Sequence, residues 1–501
     1  MAYISTLASA NAGQNLLLAI ASFADSAVWA AMVQIFVLAA ALLLANVLRR
    51  TIPFLRKSLI PTALLGGMMV LLLKFIPAVS NFIDNDLMET LTYHCLALGF
   101  IASALKKNTG SKKTSTKAIV ETGVLTGSVY AMQATFGIGI SIILFVAGAF
   151  AFPAGGILLA LGYGQGTGQA LNFGAGFEND YGFAGGKTFG LSIAAIGFLV
   201  ASIVGVVYLN VMRRRGKLRV LTAEDRQVVH KLEDFVGENE MPNTDSVDKF
   251  TITIGLVVLI YGVVYGIMSL VKINLIWGFN FLLGSLLALA TRLLLNLLSK
   301  KKVFKREPTN NYLLDRISGT MFDTMIIAGV AAINWDDFFQ NNMWWQLLII
   351  CAVGAVVTFV YIHIVAKNIY KGYEQEGFIS MFGMMTGTAS SGMILLREID
   401  PRLETPASSN LVFSGLPAIA FGGGLLLVLN YCPKGLTESI VTLAIVFAAW
   451  VVFTVVLFRN KIFRRKKVAV AESAEIVENA ADTGAETAEN DQISSENTPQ
   501  Q

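Results

Sequence analysis

Two glycine-rich polar stretches lie within otherwise apolar sequence and carry residue types suited to hold a small charged molecule. Glycine lets a ligand and the backbone approach closely. A break between two short helices also leaves N–H groups that suit a carboxylate, and carbonyl and hydroxyl oxygens that suit a hard cation. The candidate binding residues are Gly164, Gln165, Gly166, Thr167, Gly168 and Gln169 in the first stretch and Thr386, Gly387, Thr388, Ser390 and Ser391 in the second.

Two side chains outside these stretches are further candidates. Gln133 falls in the middle of an apolar run, where it is suited either to bind a ligand or to make a hydrogen bond between helices. Asp323 also falls in mid-run, and a carboxylate inside a membrane is expensive enough to suggest a function. It could bind an amino group or sodium, or it could pair with Arg316 seven residues earlier on the same helix face.

The composition indicates a membrane protein. Of 501 residues, 54% are hydrophobic and only 14% are charged, whereas soluble domains carry about 25% charged residues. No basic run interleaved with aromatic residues suggests a nucleic-acid surface. The three cysteines form no CxxC pair, so no zinc site is predicted. The chain has no GxSxG, HExxH or P-loop motif, so we expect neither an enzyme nor a cofactor.

Apolar runs long enough to cross a bilayer as helices recur along the chain. The two glycine-rich stretches instead have short apolar legs, of about eight residues in the first, which reach only the middle of the bilayer. We therefore predict re-entrant hairpins at 153–177 and 377–400. The predicted spans are Val28–Leu48, Leu59–Ile76, Leu87–Leu105, Ala118–Phe150, Phe183–Met212, Phe250–Val271, Leu275–Leu298, Tyr312–Ile333, Trp345–Ala366, Asn410–Asn430 and Ile440–Phe458.

Basic residues predict the orientation. Clusters such as Arg213–Arg215 and Lys300–Lys302 fall in loops on one side, which the positive-inside rule makes cytoplasmic. We expect a multi-pass protein of the cell (inner) membrane with its N-terminus outside and its C-terminus in the cytoplasm. The predicted segments are an extracytoplasmic N-terminal segment (1–27), a first repeat (28–212), a cytoplasmic linker loop (213–249), a second repeat (250–431), an extra transmembrane helix (436–459) and a disordered acidic tail (468–501).

The two halves have the same order of long spans and one glycine-rich stretch. Each half has five full crossings, an odd number, so the second half must be inverted in the membrane. The predicted fold is therefore an all-α polytopic membrane protein with two inverted five-helix repeats, each with a re-entrant hairpin, plus one extra C-terminal transmembrane helix. Inverted repeats are typical of secondary transporters, and two hairpin tips entering from opposite sides would meet near the bilayer centre in one shared site.

Several motifs together resemble the glutamate:sodium symporter family over about residues 28–430. The likeness is carried by Ile52-Pro53-Phe54-Leu55-Arg56-Lys57, Ile60-Pro61, Gly66-Gly67, Met132-Gln133, Gly137-Ile138-Gly139, Gly166-Thr167-Gly168, Thr386-Gly387-Thr388, Leu395-Leu396-Arg397 and Asp400-Pro401. The resemblance implies sodium-coupled uptake of L-glutamate, sodium as the coupling ion, a homodimer and elevator-type movement. The chain departs from the family pattern at Gln165, where that pattern has histidine, and in its extra terminal helix and tail.

Other functions remain open at this stage. A carrier of the same architecture could take another di- or tricarboxylate, or it could be driven by protons. A channel or a membrane sensor is a different class, which saturable transport with counterflow would exclude. No sequence feature decides the ion stoichiometry.

Overall fold

The computed structural model describes residues 26–106, 115–218, 249–271, 280–301, 309–400, 405–415, 418 and 428–459, and their regular secondary structure is entirely helical. Eight of these helices are long and apolar enough to cross a membrane. The polytopic helical class predicted from the sequence is confirmed. Residues 1–25 and the predicted tail at 468–501 lie outside the described part, as do residues 219–248 of the predicted linker.

The helices follow in chain order. In the first half they are α1 Ser26–Thr51, α2 Pro53–Ser58, α3 Thr62–Leu73, α4 Pro77–Phe82, α5 Asn85–Ala104, α6 Thr116–Val146, α7 Leu158–Gln165, α8 Thr167–Tyr181 and α9 Gly186–Arg214. In the second half they are α10 Lys249–Val271, α11 Asn280–Lys300, α12 Asn311–Ala331, α13 Trp335–Gln340, α14 Trp344–Ile369, α15 Glu374–Thr386, α16 Ala389–Arg397, α17 Ala407–Phe413 and α18 Leu436–Arg459.

One predicted span differs from the helix observed, a second is a helix that is not among the candidate spans, and a third is only partly described. The prediction of Leu59–Ile76 is too long, because α3 has 12 residues, or about 18 Å of helix. Pro61 stands just before its first residue and Lys74 just after its last. Helix α12 has 21 residues but is not among the eight candidate spans; it carries Asp315, Arg316 and Asp323. Most of the predicted span Asn410–Asn430 lies outside the described residues.

The helices form two groups by their packing. In the first group, which we call the frame bundle (α1, α3, α5, α10, α11 and α12), α5 packs along α12. Each of these two also packs against a helix of the other half, α5 on α11 and α12 on the short helix α3. The second group, which we call the tip bundle (α6–α9 and α14–α18), contains both glycine-rich stretches. Its α8 makes the main contact with α5 and α12.

Ion pairs and hydrogen bonds near the helix ends show the helix directions. Lys106, just beyond α5, pairs with Asp315 near the start of α12 at 2.5 Å, so these two helices run antiparallel. At the other end of the bundle the Lys74 ammonium is buried and donates to the carbonyl oxygens of Ala331 and Ile333 at 3.0 and 2.8 Å. Lys74 therefore closes the C-terminal end of α12, where helix carbonyls lack partners.

The last helix, α18, is attached to the tip bundle through polar groups on α14. The Tyr361 hydroxyl bonds the Thr454 hydroxyl at 2.8 Å and also bonds Ser128 of α6. One turn further along α18, Asn368 Nδ2 donates to the Leu457 carbonyl at 2.7 Å. Hydrogen bonds of this kind hold helices together in lipid, where water does not compete.

Glycine permits the close packing of α6 against the start of the first glycine-rich stretch. A Cβ at Gly137 would overlap the Gly156 carbonyl, and a Cβ at Gly156 would overlap Gly137 in turn. Gly139, two residues further along α6, has no heavy atom within 4 Å of a Cβ added there. The two glycines on one helix therefore have different structural roles.

We expect Gly137→Ala to lower the free energy of unfolding by about 1–3 kcal/mol, because the added methyl group forces two backbones apart. Gly139→Ala is the matched control and should be neutral or slightly stabilising, since alanine favours helix. Thermal melting of the two purified variants in detergent measures the difference. Equal melting temperatures would contradict the packing described here.

Candidate functional site

The first glycine-rich stretch reverses the direction of the chain. Helix α7 ends at Gln165, Gly166 adopts φ 80° and ψ −168°, and α8 begins at Thr167. The far ends of the two legs lie together, since the Phe152 ring is 5.8 Å from that of Phe177, and 4.5 Å from that of Phe183 just beyond α8. Only glycine readily adopts the Gly166 conformation. We call residues 164–169 tip 1.

The second glycine-rich stretch also reverses direction. Helix α15 ends at Thr386 and α16 begins at Ala389. The two legs touch along their backbones, because a Cβ at Gly383 would lie 2.7 Å from the Gly392 Cα. A side chain at either position would push the legs apart. We call residues 385–391 tip 2.

The two tips meet, as the sequence predicted for a shared site. A Cβ at Gly166 would lie 3.1 Å from Thr388 Cγ2, and a Cβ at Gly164 would lie 3.2 Å from Met385 Cε. The Phe198 ring of α9 lies beside both tips. It is 3.8 Å from a Cβ added at Gly166 and 3.1 Å from a Cβ added at Gly387. Residues more than 200 positions apart in the chain thus form one locus.

Each tip contains the start of a helix, α8 in tip 1 and α16 in tip 2. The first N–H groups of both helices have no hydrogen-bond partner among the described residues. In α8 the first N–H with a backbone partner belongs to Ala170, which donates to Gly166. In α16 it belongs to Gly392, which donates to Thr388. Neither Gly166 nor Thr388 caps its helix with a side chain. The positive ends of two helix dipoles therefore meet at the tips, a favourable place for an anion.

Several buried side-chain atoms at the tips have no hydrogen-bond partner among the described residues. They are both amide atoms of Gln169, the Thr388 and Ser391 hydroxyls, and Gln133 Oε1. A buried polar atom without a partner costs about 1–3 kcal/mol, and such atoms are uncommon in native proteins. Their concentration around one contact indicates a place for a polar ligand.

The other predicted tip residues have mixed surroundings. The Thr167 hydroxyl donates to the Met325 carbonyl of α12 at 3.2 Å, so it ties tip 1 to the frame bundle. The Thr386 hydroxyl donates to Phe382 within its own helix at 2.7 Å. Gln165 is half-buried and Ser390 is exposed. Gly168 packs against Leu96 and Met325.

Gln133 and Asp323 differ in their relation to the tips. Gln133 is fully buried, and its Nε2 donates to Thr358 of α14 at 3.0 Å and to the Met385 carbonyl of tip 2 at 2.9 Å. It thus makes a hydrogen bond between helices and also contacts a tip. Asp323 is exposed and makes no ion pair or hydrogen bond with any described residue, while Arg316 lies over the Tyr312 ring instead.

Residues outside the two stretches also shape the site, and the sequence reading did not single them out. Tyr130 of α6 donates its hydroxyl to the Gly164 carbonyl at 3.2 Å, and Met325 of α12 packs against Gly166 and Gly168. Tyr130 stands three residues before Gln133 and therefore on the same helix face. That spacing is the signal in the sequence that could have drawn attention to it.

Comparison with known proteins identifies one family. The model of the sodium/glutamate symporter family matches residues 29–390, which is more than half of the chain and includes tip 1 and almost all of tip 2. Searches of curated proteins and of solved structures find no match.

We expect Gly166→Ala to weaken binding of dicarboxylates at least tenfold, because an alanine at this φ and ψ is strained by about 1–3 kcal/mol and its Cβ meets Thr388. The measurement is the rise in melting temperature of the purified protein with increasing dicarboxylate concentration, in a buffer that contains sodium. Gly176→Ala, in the same α8 with nothing near its Cβ, is the control. Loss of stabilisation in both variants would point to general damage of the helix.

Proposed function

Because the chain belongs to the sodium/glutamate symporter family, we propose that it takes up L-glutamate together with sodium and that the two tips form the binding site. The family itself makes the protein a membrane transporter with sodium as its coupling ion. The convergence of two unpaired helix starts is the observation that supports the location of the site and the anionic character of the substrate.

The proposed architecture is two inverted repeats with re-entrant hairpins. The antiparallel packing of α5 on α12 supports inversion. So does their reciprocal packing, α5 on α11 of the second half and α12 on α3 of the first half. The chain reversals at the two tips support hairpins, and the positive-inside rule predicts that these enter from opposite sides. The proposed repeats are 28–212 and 250–431, joined by the linker 213–249.

L-glutamate fits the chemistry of the tips. Its two carboxylates match two neighbouring helix starts. Each start has three N–H groups without a partner among the described residues, those of Thr167, Gly168 and Gln169 in α8 and of Ala389, Ser390 and Ser391 in α16. The hydroxyls of Thr388 and Ser391 add donors, and Gln169 Oε1 can accept from an ammonium group. Neutral donors suit a substrate that must also be released, because a fixed positive charge would bind an anion more tightly.

Sodium fits the C-terminal ends of the two helices that precede the breaks. The last carbonyls of α7 and α15 lie at the tips and carry partial negative charge. Transporters of this kind bind cations at the C-terminal ends of broken helices and anions at the N-terminal ends. We also propose that Asp323, a carboxylate in the middle of α12, favours cations near the frame bundle.

Coupling to sodium has an energetic reason. L-glutamate carries one net negative charge, and moving it inward against a negative interior costs about 2.3 kcal/mol per 100 mV. Two or more sodium ions carried with each glutamate reverse the sign of the transferred charge. Uptake would then be driven by both the sodium gradient and the membrane potential.

We propose that the tip bundle moves against the frame bundle in an elevator-type cycle, in a homodimer of the inner membrane with the N-terminus outside. Lys187 of α9 pairs with Glu89 of α5 at 3.0 Å, so this ion pair joins the two bundles. The Thr188 hydroxyl also donates to Asp337, next to the end of α12, at 3.1 Å. These contacts lie at one end of the helices and would have to break when the bundles slide.

The first test is uptake of radiolabelled L-glutamate into liposomes that contain the purified protein. We expect uptake that needs an inward sodium gradient, rises with an inside-negative potential, and falls to background in choline. Unlabelled L-glutamate should compete, with potassium and proton gradients as controls. Sodium-dependent uptake of another carboxylate without competition by L-glutamate would contradict the substrate, and uptake unchanged in choline would contradict sodium coupling.

Substitution of Thr388 tests the site. We expect Thr388→Val to raise the KM for L-glutamate roughly tenfold or more, because a hydrogen bond to a charged group is lost. Thr135→Val is the matched control, since the Thr135 hydroxyl donates within its own helix to Ala131 at 2.7 Å. If Thr388→Val and Thr135→Val have the same KM for L-glutamate, Thr388 does not bind the substrate.

A further inference from the structure

One face of α6 touches both tips. Tyr130 and Gln133 are three residues apart, which places their side chains on the same side of the helix. Tyr130 contacts tip 1 and Gln133 contacts tip 2. The two tips belong to opposite halves of the chain, so a single helix is in contact with both halves of the candidate site.

The contact of Tyr130 with tip 1 combines a hydrogen bond with close packing. The Tyr130 hydroxyl donates to the Gly164 carbonyl at 3.2 Å. The ring lies so close to Gly164 that an added Cβ would overlap it. Gly164 is in the last turn of α7, directly before the break at Gly166, so this contact holds the end of the first leg.

The contact of Gln133 with tip 2 is the counterpart. Gln133 Nε2 uses one hydrogen for the Met385 carbonyl at 2.9 Å and the other for the Thr358 hydroxyl of α14 at 3.0 Å. Met385 is in the last turn of α15, directly before the break at Gly387 and Thr388. Gln133 is fully buried, so water does not compete for these bonds.

We propose that Tyr130 and Gln133 are positioning residues that hold the two tips against α6 so that both helix starts face one bound substrate. This inference rests on the proposed function for its effect on uptake. Neither side chain needs to touch the substrate. Each fixes the last turn of a first leg, and the N–H groups of the second leg that have no partner among the described residues follow within six residues.

The physical benefit is preorganisation. A substrate with two carboxylates gains from both helix starts only when their separation is already correct. If one tip is loose, binding must first order it, and that entropy weakens affinity. The loss should therefore fall on KM, with a smaller effect on the rate at saturating substrate.

The test uses Tyr130→Phe, Gln133→Leu and the double variant, with Thr135→Val on the same helix as control. We expect each single change to raise KM about three- to tenfold, the range for one lost hydrogen bond, with kcat within about twofold. The double variant should lose less than the product of the single losses, because residues that support one site couple. If the single variants instead lower kcat and leave KM unchanged, the proposal is overturned.

A second readout does not depend on the substrate. Hydrogen–deuterium exchange of the protein without glutamate should rise in residues 164–170 for Tyr130→Phe and in residues 385–392 for Gln133→Leu, and in neither for Thr135→Val. If the wild type does not transport L-glutamate but these changes appear, the proposed function fails and the positioning role stands. If exchange at both tips is unchanged, the positioning role is wrong even where uptake is normal.

Discussion

Backbone N–H and C=O groups must be paired inside a membrane, and among the described residues the starts of α8 and α16 at the two tips have N–H groups without a partner. An unsatisfied backbone group in lipid costs several kcal/mol, so such breaks persist only against protein or a polar cavity. Within the described residues the breaks at tip 1 and tip 2 are in contact, Gly166 against Thr388. The side chains of Thr386, Ser391 and Gln169 are buried beside this contact, and polar atoms there that have no partner among the described residues could bind a polar ligand.

Glycine makes this arrangement possible at several levels. Gly166 supplies a backbone conformation that other residues rarely adopt. Gly383 and Gly392 let the legs of the second reversal touch, and Gly137 and Gly156 let α6 approach the first. Close approach then brings Tyr130 and Gln133 of α6 within hydrogen-bond distance of tip carbonyls. Small residues at helix contacts have this role in membranes, because dispersion and polar contacts replace the hydrophobic effect between helices.

The two bundles differ in what they contain. The tip bundle contains both breaks and the helix that positions them, while the frame bundle is built around the antiparallel pair α5 and α12. At the tips, the contacts between the two bundles include few hydrogen bonds. The Thr167 hydroxyl donates to the Met325 carbonyl, and Gly168 packs between Leu96 and Met325. Apolar surfaces with few hydrogen bonds slide past one another more readily than polar ones, since few bonds must break. Such an interface is compatible with the movement proposed for this family member.

The sequence by itself determined the membrane class, most of the long helices, the two breaks and the family, because apolar length, glycine and short motifs are local properties. It also predicted that the tips would meet, from parity and hairpin length. Only the tertiary structure decided which groups these side chains contact. Gln133 donates to the Met385 carbonyl, 252 positions away, and Tyr130 donates to the Gly164 carbonyl. Arg316 lies over the Tyr312 ring instead of pairing with Asp323. The structure also shows that α3 has only 12 residues, fewer than the predicted span Leu59–Ile76. A local pattern shows that a buried polar side chain needs a partner, but which group supplies it depends on how distant helices pack.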